Sequence, residues 1–215
     1  PALSLVAFEK YMLADDRPRY PMTFPVQVEL RGVAQREAFD AAYQEALARH
    51  PLLTCRVARV RRALCWTPAD GEVQSPRWLD APPEPAAGRY LDIRRRPPID
   101  ASVFAAQDRT AVALLFHHAA CDGIGAMQFV GDLLAAYGRR APGSHPPPEL
   151  LTLAPRLLEH RGQFDLQPPR EVGRWEAYRS TLRETCNVLV RRPRPLAGAA
   201  PATVAPGTGA LMFTD

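Results

Sequence analysis

The sequence predicts an α+β fold in which a mixed β-sheet is flanked by helices. Three observations carry this. Residues 22–30 alternate apolar and polar as MTFPVQVEL, the period of a half-buried strand. Residues 111–118, AVALLFHH, are apolar at almost every position before the histidines, as expected of a strand covered on both faces. Helical periodicity takes over at 35–49 and again at 124–137, so strands and helices mix irregularly.

Taken in order, residues 4–14 have a helical rhythm (Leu5, Phe8, Met12) that DDRPRYP breaks. Pro25 confines the strand at 22–30 to an edge or a bulge, because proline cannot donate to a ladder. Gly32 punctuates, and 35–49 reads as an amphipathic helix with Phe39, Tyr43 and Leu47 four apart. His50-Pro51 ends it, since the residue before proline is pushed out of the helical region. Residues 53–60 and 63–67 form a hairpin around Arg61-Arg62. Residues 68–88 are loop-rich, with a short strand near Trp78, and 90–93 and 101–106 are short strands around RRRPPID.

In the helix at 124–137, Met127, Val130, Leu134 and Tyr137 share a face; Gly138 stops it, and Arg139-Arg140 complement its C-terminal end. APGSHPPPEL is a rigid linker. Helices follow at 150–160 and 170–190, the second anchored by Trp175, Tyr178 and Leu182. Residues 193–209, rich in Pro, Ala and Gly, read as an exposed crossover before a strand-like 210–213. The expected organisation is a subdomain at 1–140, its linker and helices at 141–192, and a crossover and strand at 193–215.

With 215 residues the chain can bury a substantial core. Its net charge of +4 comes almost wholly from arginine, Lys10 being the only lysine, and the arginines interleave with acids. The densest groups, Arg94-Arg95-Arg96 and Arg191-Arg192 with Arg194, stand beside prolines. This is a compositional preference rather than a phosphate-tracking stripe, and nucleic acid is not an expected partner. No run approaches the ~20 apolar residues of a membrane helix. The first residues lack the basic start of a secretory signal, so a cytoplasmic location is expected. Cys55, Cys65, Cys121 and Cys186 show no CxxC spacing and imply reduced thiols.

The chemistry concentrates in His117-His118-Ala119-Ala120-Cys121-Asp122-Gly123. Successive strand side chains point to opposite faces, so the two histidines cannot serve one site. Ala119 and Ala120 leave room for a ligand, Asp122 falls at a helix N-cap, and Gly123 lets the chain turn into that helix. The helix N-terminus favours the neutral imidazole that a general base needs. Taken alone, a histidine ending a strand is more often structural than catalytic, and Asp122 is an ordinary cap. A metal site on His118 and Asp122 lacks a third ligand, because His50, His145 and His160 lie in unrelated contexts. Cys121 beside two histidines does not define a nucleophilic dyad; a buried small thiol fits better.

The whole string resembles the HHxxxDG motif of the chloramphenicol acetyltransferase-like superfamily. Condensation domains of nonribosomal peptide synthetases, alcohol acyltransferases, wax ester synthases and polyketide-associated acyltransferases belong to it. Two flanks add to the resemblance: ALARHPLLTCRV, with Thr54 and Cys55 after Leu52-Leu53, and YLDI before the arginine loop. It covers about residues 3–138.

The resemblance implies the N-terminal half of a two-subdomain acyltransferase. His118 would be the general base. It would take a proton from a hydroxyl or amine that attacks an acyl thioester on coenzyme A or a phosphopantetheinyl carrier protein, with no acyl-enzyme and no permanently bound cofactor. His117, Asp122 and Gly123 would be structural, Asp122 often through an arginine and Gly123 by keeping a channel open. The second-half DFGWG-type motif and an oxyanion-stabilising residue are missing from the sequence. Without that half the chain is expected to be inactive, to expose an apolar face and to self-associate through it. The alternative is a non-catalytic binding module of the same fold.

Overall fold

The computed structural model describes residues 2–69, 75–84, 88–106, 108–141, 150, 152, 155–162 and scattered positions within 175–186. The chain divides into two compact units, Pro1–Phe164 and Asp165–Asp215. In the first, the elements run β1 (Leu3–Ser4), α1 (Ala7–Asp15), β2 (Thr23–Arg31), α2 (Arg36–Arg49), β3 (Cys55–Val60), β4 (Ala63–Pro68), β5 (Arg77–Trp78), β6 (Ile99–Ala106), β7 (Arg109–His117) and α3 (Gly123–Gly138). Short 3₁₀ turns occupy Pro51–Thr54 and Pro155–His160.

The strands form two sheets. One has the order β2-β7-β6-β5, antiparallel except for the β5–β6 pair, and the other the order β1-β4-β3. The mixed sheet with flanking helices is the expected α+β class. Among the described residues β2 is an edge strand, and its register explains how it carries a proline. The Met22 carbonyl accepts from His118 N, and Gly32 N donates to Asp108 O, so even-numbered residues face the β7 ladder. The odd-numbered Pro25 therefore points its missing donor outward and costs no bond to β7.

Gly32 turns the chain from β2 toward α2 with φ +90°, a conformation that disfavours a Cβ. Thr110 on β7 secures this entry: its hydroxyl donates to Gly32 O (2.8 Å) and accepts from Ala34 N (2.8 Å). Phe39, Tyr43 and Leu47 of α2 are buried as the periodicity predicts. They join Ala126, Phe129, Val130, Leu133 and Ala136 of α3 against Ile99, Ala101, Val103, Val112, Leu114 and Phe116 of the sheet. Phe129 is the hub. Its ring meets Tyr43, His50 and Phe116 at centroid distances of 5.8, 5.4 and 5.7 Å, all edge-on. A second cluster, including Leu5, Leu13, Val57, Trp66, Leu91, Ile93 and Ala119, lies under the smaller sheet.

Several expectations shift. α1 starts only at Ala7, where the Glu9 carboxylate accepts from Val6 N (2.9 Å), and a two-residue strand precedes it. Residues 90–93 are not a strand; Leu91 and Ile93 are buried by packing, and Ile93 O accepts from Val57 N. The expected helix at 150–160 is, where described, the 3₁₀ turn Pro155–His160. The buried face of α3 is centred on Phe129 and Leu133, while Met127 is 55% exposed. The linker at 142–149 and the crossover and strand at 193–215 lie outside the described residues. In the second unit Trp175 and Tyr178 are helical and their rings stack at 5.8 Å.

Truncating Phe129 to Ala should cost about 3–5 kcal/mol, because it removes a side chain packed on three rings and leaves a cavity. Urea denaturation of the variant beside Phe39→Ala checks the magnitude.

Candidate active site

β7 ends at His117, and the next five residues make the corner into α3. The corner sits where the two hydrophobic clusters meet: Ala119 is buried in the smaller one, and Ala120 packs against both.

The two histidines part as strand alternation requires. His117 is fully buried. Its Nδ1 accepts from Ala119 N (3.0 Å), which puts the proton of the neutral ring on Nε2. Nε2 lies 3.3 Å from Asp16 Oδ2, a long contact, and neither atom has a better-aligned partner among the described residues. Desolvation lowers the pKa of His117, and the neighbouring Asp16 only partly offsets it. Asp16 is itself held by Met22 N, which donates to Oδ1 (2.9 Å). His117 is thus a structural ring joining the end of α1 to the corner.

His118 turns the other way. Its backbone N donates to Met22 O (2.8 Å), and its ring packs on Phe24 at 4.4 Å. Among the described residues neither ring nitrogen has a hydrogen-bond partner. The imidazole lines a cleft of about 410 Å³ whose walls include the Arg49–Leu53 segment, Cys121, Asp122 and Arg161.

Asp122 caps α3, its carboxylate accepting from Gly125 N (2.8 Å), and among the described residues no arginine pairs with it. Cys121 donates to Asp122 O (3.2 Å), and burial pushes its thiol up to about 12. It stays a thiol at neutral pH, which excludes it as a ready nucleophile. Gly123 has no left-handed φ, and a Cβ there would meet nothing within 4 Å, so the turn itself does not demand glycine. The crowded glycine is Gly125, where a Cβ would stand 3.1 Å from Cys121 Sγ and 3.3 Å from Asp122 Oδ1.

Two features of the cleft wall escape sequence reading. Asp132, buried on α3, takes Arg49 Nε at 2.7 Å and His50 Nε2 at 3.0 Å on the same oxygen. Arg49 and His50 of the RHP segment therefore hold the end of α2 to α3. Their neighbours Pro51, Leu52 and Leu53 line the cleft together with His118. The second is Arg161, which meets the buried Glu9 through Nε (2.6 Å) and Nη2 (2.7 Å) and also donates to Ser4 O (2.8 Å). Only a signal linking positions 9 and 161 could have found that pair. Among the described residues no group of three His, Cys, Asp or Glu side chains converges as a metal site, and no helix is long and apolar enough to cross a membrane.

No family model matches the chain. A curated relative, a probable non-canonical nonribosomal peptide synthetase CymA from Salinispora arenicola (strain CNS-205), is 28% identical over 187 residues, which are 80% of this chain and 2% of that protein. Among solved structures, the starter condensation domain of rhizomide synthetase RzmA aligns with TM-score 0.61 and 18% identity, over 78% of this chain and 45% of that one. The X-domain from teicoplanin biosynthesis, in complex with OxyB, aligns with TM-score 0.56 and 23% identity, over 75% and 40%. The chain therefore has the fold of condensation domains, in the chloramphenicol acetyltransferase-like class, and spans less than half the length of these structures.

Two outcomes follow from the buried residues. Asp132→Ala should cost about 3 kcal/mol, the low end for breaking a buried pair because Arg49 keeps some exposure; chemical denaturation measures it. The depressed pKa of His117 makes the unfolded chain bind more protons below pH ~6.5. Stability should be level above that pH and fall as pH drops through it, by up to about 1.4 kcal/mol per pH unit. His117→Asn should flatten this dependence in pH-resolved melts.

Proposed function

We propose that the chain supplies the general-base half of an acyltransferase of the condensation-domain type, with His118 as the base. The observation that carries this reading is the division of labour at the corner. His117 is buried, with its Nδ1 bonded to Ala119 N, while among the described residues His118 presents an imidazole without a hydrogen-bond partner to a cleft.

In the proposed reaction a ring nitrogen of His118 accepts the proton of an acceptor hydroxyl or amine as its O or N attacks the carbonyl carbon of an acyl thioester. The tetrahedral intermediate collapses with cleavage of the C–S bond. The departing sulfur takes a proton and leaves as the free thiol of coenzyme A or of a phosphopantetheinyl carrier protein. No acyl-enzyme forms. Asp122 and His117 fix the corner that aims His118 and transfer no proton, and the second wall of the site comes from a C-terminal half of the fold. The cytoplasm, where acyl thioesters are made, is the expected setting.

A positioned base typically contributes ~10²–10⁴ in rate. In protein containing both halves of the fold, His118→Ala should lower transfer from an acyl thioester by that factor with an unchanged melting temperature. Turnover close to wild type in that variant would remove His118 from the role.

A second reading is favoured by the X-domain structure, in which a protein of this fold is seen with OxyB. On that reading the fold is a docking module for another protein, with no thioester turnover. His118→Ala would then leave partner binding untouched.

A further inference from the structure

The structure holds a second polar cavity, of about 260 Å³, that shares no lining residue with the cleft of His118. Tyr43, Ser75, Arg77, Arg89, Tyr90, Leu91, Arg96, Asp100 and Ala101 enclose it, bringing β5, the loop before β6 and the RRRPP segment together at the start of β6. Three guanidinium groups meet one carboxylate here. Arg77 Nη2 lies 2.9 Å from Asp100 Oδ2, Arg89 Nη2 bonds the same oxygen, and Arg96 Nη2 lies 2.9 Å from Oδ1. Arg77 also donates to Ser102 Oγ (3.1 Å).

A single buried carboxylate needs far less than this. One arginine neutralises it, and two or three N–H donors fill its oxygens. Asp100 is the only carboxylate lining the cavity among the described residues, so among these the other two arginines leave an excess of two positive charges. Three cations gathered at one carboxylate repel one another, an arrangement that neutralising Asp100 does not explain. Each arginine bonds Asp100 through Nη2 alone, which among the described residues leaves most of its five donors unspent. One of them, Arg96 Nε, is buried with no partner among the described residues, and such a group calls for an explanation. The side chains of Arg77, Arg89 and Arg96 remain 55%, 44% and 41% exposed, so the donors can reach a ligand entering from solvent, while Asp100 is 10% exposed and sits beneath them.

We infer that Arg77, Arg89 and Arg96 form a binding site for a phosphate group, with Asp100 as the buried anchor that holds the three guanidinium groups in place. A phosphate dianion matches the excess charge, and its oxygens accept the forked donors that arginine presents. The inference does not depend on the role of His118, and acyl transfer is not its readout.

The test is isothermal titration of the purified protein with inorganic phosphate at low ionic strength. Saturable one-to-one binding is expected. Arg77→Gln and Arg89→Gln should each weaken it about tenfold or more, the loss of one charge-assisted bond. Arg89→Lys, which keeps the charge but not the fork, should fall between. Asp100→Asn should bind phosphate more tightly than wild type, because the opposing negative charge is gone; if the arginines served only Asp100, no variant would change phosphate binding. Melting curves identify any variant that fails to fold, and the half-exposed Arg89 substitutions then carry the test. Competition by 4′-phosphopantetheine would assign the site to the handle of a thioester carrier, and lack of competition to a free phosphate; both uphold the site. No saturable binding by the wild type, or binding that both Arg→Gln variants leave unchanged, overturns it.

Discussion

One carboxylate on α3 sets the shape of the cleft. Asp132 accepts from Arg49 and His50 through a single oxygen, and the last turn of α2 is thereby tied to α3 at the place where proline forces the chain out of helix. The 3₁₀ turn that follows is placed by α2, and its Pro51, Leu52 and Leu53 line the cleft of His118. Phe129 lies just below, its ring edge-on to His50, so ion pair and aromatic hub fix the same joint from two sides. An ionic link this close to the surface contributes less through net attraction than through definition of geometry. Sliding α2 against α3 would pull the Arg49 guanidinium and the His50 ring off the carboxylate they share.

At the corner itself, adjacent peptide units place one residue type in two different surroundings. The strand's pleat sends His117 inward, where desolvation keeps it neutral and Ala119 fixes its tautomer. His118, one step on, leaves the ladder and keeps its ring nitrogens for the cleft. The small residues around them serve both ends. Ala119 and Ala120 let two hydrophobic clusters touch, and Gly125 allows Cys121 and the Asp122 cap to lie against the first turn of α3.

Most of this was legible in the sequence where local patterning governs. The period-two run of β2, the apolar run of β7 and the four-residue rhythm of α2 gave those elements within a residue or two, and the cap of Asp122 followed from the helix beginning after it. What was not legible depends on partners far apart in the chain. Residues 90–93 looked like a strand because Leu91 and Ile93 are apolar, but they bury against Val57 and Trp66 without a ladder. Asp132 reads as an exposed helix residue until α2 is placed beside it, and Glu9 until Arg161 returns from 152 residues away. Arg94-Arg95-Arg96 reads in the sequence as compositional bias, and only the fold brings Arg96 together with Arg77 and Arg89 over Asp100. Glycine in the motif drew the eye to Gly123, whereas steric crowding singles out Gly125.

The outward row of β2 has a further meaning. An edge strand nine residues long is a template on which another chain could add itself as a neighbour. Because odd-numbered residues carry the outward groups, Pro25 interrupts that row one donor in from the end nearest the histidines, and Gln27, Glu29 and Arg31 furnish the rest with polar side chains. A foreign strand aligned there would meet a gap and then charge. The proline that the β7 ladder never misses thus blunts the edge that β2 forms among the described strands, at the end where β2 pairs with His117.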